Sequence, residues 1–258
     1  MFKPILLPIT KTQKTILFLL YKFRFLTVIQ LQKYFHHKDP HRIKEWLSNL
    51  KDKGYISVIM DKTNPTKPYI FCLDTNARYI LEENEDCDRT FLKRLYKEKD
   101  ILENFRNHLL FIFDIYLFFL SRKDKKSNLN FLTQQDLIGY DFFPKELPDA
   151  YIAVESKEGA DKYFLDLFDE YRKHPGVIRF CVRKYIQYSE NGDWQANIRN
   201  SPFPTLLFVI QNDKRKKFVQ HYGKYVLGKT FENISLHLTT QDTIRFSNEK
   251  VNIWEKVE

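Results

Sequence analysis

The sequence predicts an α/β (α+β) chain in two parts, a set of helices closed by a β-hairpin followed by a mixed sheet. Three observations predict it. Apolar residues recur at three- and four-residue steps up to Leu50, short apolar and aromatic runs with strand character dominate after Asn128, and an acidic, polar stretch, Glu82 to Asp88, lies between. A chain of 258 residues, 43% hydrophobic, holds material for two modest cores. The expected domains are therefore 1–83 and 90–258, joined by that acidic linker.

In the first part, Ile16, Leu17, Leu19, Leu20 and Phe23 define the inner face of a helix from Thr12 to Phe25. Thr27 caps a short second helix, Val28 to Phe35, with Val28, Leu31, Gln32 and Phe35 on one face and Ile29 partly exposed. Asp39 caps a third, with Pro40 at its first position; Ile43, Trp46, Leu47 and Leu50 form its core stripe and Gly54 ends it. Strands Tyr55 to Met60 and Tyr69 to Leu73 then flank a turn rich in Asn, Pro, Thr and Lys, and a further helix runs from Thr75 to about Glu83. Three helices followed by a basic hairpin is the order of a winged helix-turn-helix.

That order gives the third helix the role of reader. With its stripe facing inward, Arg42, Glu45, Ser48, Asn49 and Lys53 project outward, flanked by His41 and Lys44, so cations for phosphates mix with hydrogen-bonding groups for base edges. Lys62 and Lys67 sit near the hairpin tip. Phe18, Phe23, Phe35 and Trp46 fall on the inward period and belong to the core. The net charge of +9 supports this assignment once divided: residues 1–83 carry 14 Lys or Arg against 7 Asp or Glu, leaving a surplus of only two for the remainder. A basic module on a near-neutral body suits a polyanionic partner, and double-stranded DNA is the expected one.

Other classes find little support. The longest apolar runs, such as Leu109 to Leu120, stop short of the roughly 18 residues a membrane span needs. No signal-like N-terminus is evident, so a cytoplasmic location without a membrane partner is expected. Cys72, Cys87 and Cys181 are scattered, which excludes a disulfide framework and a Cys-based zinc site. His36, His37 and His41 lack a further ligand nearby. With only 7 glycines, a nucleotide-cradling loop has little material, and no nucleophile elbow is present.

In the second part, a helix from about Thr90 to Arg122, broken near Asp100 to Asn104, should be the spine of the domain, its segment Leu109 to Leu120 buried on most sides. Strands are expected at Leu129 to Thr133, Ala150 to Val154, Tyr163 to Phe168, around Ile178 to Cys181, and Thr205 to Val209. Lys214-Arg215-Lys216-Lys217 reads as a solvated turn or a second phosphate contact. Pro148-Asp149 opens one strand and Asp166 lies on the next, so a hairpin can bring the two carboxylates together, as a magnesium site requires. This layout resembles the PD-(D/E)xK nuclease core, in which two such acids and a lysine bind metal and activate water. The resemblance implies a restriction-endonuclease-like fold with Asp149 and Asp166 as metal ligands. The lysine expected at position 168 is Phe, leaving Lys184 as a displaced candidate, and a degenerate, inactive domain is the reading adopted. The structural alternative makes Asp149 a turn residue and Asp166 an ion-pair partner of Arg179 or Lys184.

Over residues 12 to 225 the chain also resembles the replication-relaxation family of plasmid and mobile-element proteins. The resemblance rests on Leu26-Thr27 through Leu31, Arg42 to Leu50 followed by Lys53-Gly54-Tyr55-Ile56, and the hairpin end Tyr69 to Thr75. It continues in His108, Leu147-Pro148-Asp149-Ala150, the Asp166 strand, Lys184-Tyr185 and Pro204 to Ile210. The chain departs from the family pattern in Leu165 before Asp166 and in Ala77 of the helix after the hairpin. The resemblance implies an accessory DNA-binding factor of plasmid replication or relaxation, working with replication or relaxosome proteins; a homodimer that needs no cofactor is the accompanying expectation. The alternatives are a magnesium-dependent endonuclease using Asp149, Asp166 and Lys184, and a transcriptional repressor with a C-terminal dimerisation or ligand domain.

Overall fold

The computed structural model describes residues 6–61, 63–198, 201–247 and 251–258. The protein is mixed α/β and forms two compact units, one ending at Phe113 and the other beginning at Asp114.

The first unit opens with α1 (Lys11–Phe23), whose Thr10 and Gln13 form a reciprocal capping box, and Arg24 ends it at φ 67°. A two-residue strand, β1 (Leu26–Thr27), leads into α2 (Val28–Tyr34), where Thr27 and Gln30 form a second capping box. His36 turns the chain at φ 54°, and the Gln32 side-chain amide donates to the carbonyls of His37 and Lys38 at 3.1 Å each, fixing the path into α3 (His41–Asp52). The helix starts one residue later than the sequence predicts: Pro40 holds the capping position without a side-chain bond, and Asp39, one residue further out, accepts the N–H of His41 at 2.8 Å. Strands β2 (Ile56–Ile59) and β3 (Ile70–Leu73) and the short helix α4 (Ala77–Leu81) follow. The sheet is antiparallel with order β1-β3-β2. Strand β1 is absent from the sequence reading because two buried residues carry no measurable period.

Ile16, Leu17, Leu20, Leu31, Ile43, Leu47 and Leu50 are at most 1% exposed and form the core together with Phe25, Leu26 and Tyr55. Trp46, expected in this stripe, is only half-buried. It lies at the rim, edge-on to Phe35 and His37 with ring centroids 5.6 and 5.3 Å away.

The acidic stretch Glu82 to Asp88 is not where the units divide. The backbone N–H of Asp88 donates to the Tyr21 hydroxyl at 2.6 Å, and Phe91 packs edge-on to Tyr21. After α5 (Arg89–Leu92), the 3₁₀ helix Leu95–Asp100 is tied back by a two-pronged bond from Arg24 to Glu98, 3.0 and 2.8 Å, with Glu98 4% exposed. These contacts carry the first unit past residue 83. The division falls inside α6 (Glu103–Arg122), the later part of the long helix, and the break expected near Asp100 to Asn104 precedes it.

The second unit is a six-stranded sheet in sequence order. Strands β4 (Asn128–Thr133), β5 (Ala150–Ser156) and β6 (Gly159–Phe168) form an antiparallel meander, with the short helix α7 (Gln134–Leu137) after β4. Helix α8 (Pro175–Glu190) and the short α9 (Asp193–Asn197) lead to β7 (Thr205–Ile210), parallel to β6. Helix α10 (Asp213–Leu227) leads to β8 (Leu236–Thr240), parallel to β7, and α11 (Gln241–Phe246) and β9 (Glu255–Lys256) complete the unit. One face of the sheet buries Phe164, Phe168, Leu206, Phe208 and Leu238 against Ile178, Val182 and Tyr185 of α8 and Val219 of α10.

Two sequence expectations are corrected here. The segment Ile178 to Cys181 is helical rather than a strand: His174 caps the helix, Pro175 occupies its first turn, and Ile178, Cys181, Val182 and Tyr185 repeat at helical steps. Lys214 to Lys217 is not a turn but the first turn of α10, capped by Asn212. Among the described residues, no helix is long and apolar enough to cross a membrane.

The packing of α3 makes two stability predictions, measured by denaturant unfolding. Leu47→Ala, at a site 1% exposed, should cost about 2 to 5 kcal/mol. Gly54→Ala should cost about 1 to 2 kcal/mol, because Gly54 sits at φ 71° and an added Cβ would stand 2.9 Å from Asn76 Nδ2.

Candidate functional site

The outward side of α3 follows from its inward stripe. With Ile43, Leu47 and Leu50 buried, His41, Arg42, Lys44, Glu45, Ser48 and Asn49 are exposed. Glu45 accepts from Arg42 at 3.1 Å and faces His41 Nε2 at 3.3 Å, so this acid is matched along the helix. The Arg42 guanidinium also lies 5.8 Å from the centre of the Trp46 ring, which steadies it without covering it.

Three of the sequence-selected DNA residues stand differently. Asn49 Oδ1 accepts from Gln13 Nε2 at 2.8 Å, tying α3 to α1. Lys53 Nζ donates to the carbonyl of Pro8 at 2.6 Å and, with the Tyr55 hydroxyl bound to the Leu7 carbonyl at 2.7 Å, anchors the segment before α1. Lys67 bridges Asp61 at 2.6 Å and Glu103 at 2.8 Å. The Lys67 ammonium and the Thr63 groups beside Asp61 hold its carboxyl well below the usual carboxylate range, and Lys67 is pushed up in turn. Lys62 lies outside the described residues. The exposed surface left for a partner on α3 is therefore its first two turns, His41 to Ser48.

In the second unit, the β5–β6 hairpin does bring Asp149 and Asp166 together, and what lies between them is Arg172. Its Nη1 donates to Asp149 Oδ2 and to Asp166 Oδ1, both at 3.0 Å, and its Nη2 stands 2.9 Å from Asp149 Oδ1. Asp149 Oδ2 also accepts the backbone N–H of Leu167 at 2.8 Å. Asp166 Oδ2 accepts from the Tyr185 hydroxyl at 2.6 Å, with Lys184 Nζ at 3.8 Å. Asp166 is fully buried, and Asp149 and Lys184 are 6% and 8% exposed. Burial works against the Arg172 charge, but Asp149 and Asp166 outweigh it and raise its pKa. Burial, and then the field of Asp166, push the neighbouring Cys181 thiol up to about 12.

These residues do not fit magnesium. All four carboxylate oxygens are engaged, and two cations already balance the two acids. Lys184, the displaced lysine of the nuclease reading, is spent on Asp166 rather than aimed at a water site. Among the described residues, no group of three or more His, Cys, Asp or Glu is placed to hold a metal ion, and this includes His36, His37 and His41. Of the two partners considered for Asp166, Lys184 is one and Arg179 is not, since Arg179 lies exposed on α8. Arg172 escaped sequence reasoning because it sits in the loop after β6, at a spacing that belongs to no helix or strand period.

A buried cluster of this kind predicts a stability phenotype. Arg172→Met should destabilise the protein by about 3 to 5 kcal/mol in denaturant unfolding, because it leaves two buried carboxylates facing a single lysine. Millimolar magnesium should leave the thermal midpoint of the native protein unchanged. The Cys181 thiol should resist thiol reagents at neutral pH until the protein unfolds.

No family model matches the chain, and no solved structure matches it. One curated protein, the dUMP-forming dCTP deaminase of Beutenbergia cavernae, is 26% identical over 83 residues. The match covers 32% of this chain and 43% of that enzyme, so the chain spans less than half the length of the relative it matches.

Proposed function

We propose that the chain is a DNA-binding accessory protein whose first unit is a winged helix that lays α3 against duplex DNA. On this reading it acts in the cytoplasm alongside the replication-relaxation proteins of plasmids and mobile elements, which the sequence resembles. The observation that carries the reading is the exposed face of α3, where Lys44 and Ser48 are exposed and Arg42 is exposed beside Glu45 of the same helix, a surface ion pair that a phosphate can displace. Arg42 supplies a two-pronged donor for a base edge or phosphate, Lys44 a point charge, and Ser48 a donor and acceptor. The surplus of positive charge in residues 1–83 favours a polyanion over an acidic protein patch of limited size.

The second unit serves as scaffold, dimer surface or partner site. Against the endonuclease alternative stands Arg172, which bridges the two carboxylates, with Lys184 on Asp166. A repressor would share the same α3 surface and differ in the role of its second unit. In a two-fold dimer, the two α3 helices would address half-sites about 34 Å apart.

The test is binding of the full chain to labelled duplex DNA across a salt series. Affinity should fall steeply as salt rises. Arg42→Ala should weaken binding by about 1 to 3 kcal/mol if Arg42 reads a base, and Lys44→Ala should lower all sequences alike and reduce the salt slope by about one. Duplex affinity that ignores both substitutions would remove α3 as the contact and move this unit to the protein-interaction class.

A further inference from the structure

Divided by sequence, the second unit is nearly neutral, yet its cations are gathered on one side. Helices α8 and α10 pack on the same face of the large sheet, and Arg183 Nε donates across them to the Tyr222 hydroxyl at 3.2 Å. No Asp or Glu occurs from Lys173 to Ser189 or from Lys214 to Thr230. Arg179, Arg183, Lys214, Lys217, Lys224 and Lys229 are all exposed on these helices and the turn after α10. The acids lie at the helix ends: Glu190 accepts from the Thr230 hydroxyl at 3.5 Å, Glu232 accepts from the Ser189 hydroxyl, and Asp213 is shared with Lys216, which also reaches Glu255 at 2.6 Å.

Aromatic rings lie among these cations. Phe218 is 41% exposed, Tyr225 59% and Phe180 52%. Phe218 and Tyr222 hold their rings 11° from parallel with centroids 6.4 Å apart, and Lys229 Nζ stands 4.0 Å from the Tyr225 ring centre. A solvated helix face needs cations but no rings, and a core needs rings but no cations. Rings left in water beside unopposed cations suit a partner that offers phosphates and flat apolar faces together. In a duplex the base faces are stacked on one another, whereas a single strand presents them.

We propose that the α8/α10 face binds single-stranded nucleic acid, its cations tracking the phosphates and Phe218 and Tyr222 stacking on bases. This site is separate from the α3 surface and does not depend on the duplex reading of the first unit.

The experiment is fluorescence anisotropy of the full chain with labelled oligo(dT) of about 20 nucleotides, compared with a matched duplex, across a salt series. Phe218→Ala, at an exposed position, should weaken oligo(dT) binding roughly five- to a hundredfold with the salt slope unchanged. Lys214→Glu with Lys217→Glu should weaken it at least tenfold and lower the slope by about 1.4. The effect of Phe218→Ala is read on oligo(dT) and that of Arg42→Ala on the duplex, so that failure of either site is seen independently. Oligo(dT) affinity indifferent to Phe218→Ala would overturn the proposal. So would self-association of the chain that Phe218→Ala abolishes, which would make this face a contact between copies.

Discussion

One guanidinium organises the centre of the second unit. Asp149 precedes β5, Asp166 lies near the end of β6, and Arg172 follows six residues later, so the cation joins the start of one strand, the last residues of the next and the loop that leads into α8. Two carboxylates at this depth cannot share an interior without opposite charge, because the cost of removing them from water is recovered only by near-contact partners and well-formed hydrogen bonds. Tyr185 and Lys184 close the remaining side from α8. Register of the hairpin, the path of the loop and the seat of α8 are thereby coupled through a single cluster.

The same economy governs the first unit, where residues with the chemistry of DNA contacts also hold the fold. Asn49 ties α3 to α1, Lys53 anchors the segment before α1, and Lys67 closes the hairpin turn through Asp61. An amide or ammonium already bonded to a carbonyl or carboxylate must break that bond to meet a phosphate, so the useful surface narrows to the first two turns of α3. Local bonds explain why that surface is well presented: Asp39 accepts the N–H of the first helical residue, and Gln32 fixes the preceding turn.

Charge read along the chain and charge read on the surface give different answers for the second unit. Its linear sum is close to zero because many of its acids lie on strands and loops, whereas the stretches folded into α8 and α10 are free of acid over most of their length. Segregation by face, which requires knowing which residues are helical and which side is buried, turns a neutral segment into a basic surface with exposed rings.

How much was legible in the sequence follows from the range of the forces involved. Helical and strand periods, the Thr27 cap, the Gly54 stop and the hairpin that juxtaposes Asp149 and Asp166 all arise from neighbouring stretches of chain, and the sequence by itself determined them. Strand character at Ile178 was misread because a short apolar run has no period of its own, and the cap at His174 outweighs it. Only the tertiary structure decided that Arg172 would fill the carboxylate pair, that residues 84–113 would pack with the first unit through Glu98 and Phe91, and that two distant helices would pool their cations. Those outcomes depend on burial and on neighbours far apart in the chain, and burial sets both the cost of a charge and the identity of the partner that must offset it.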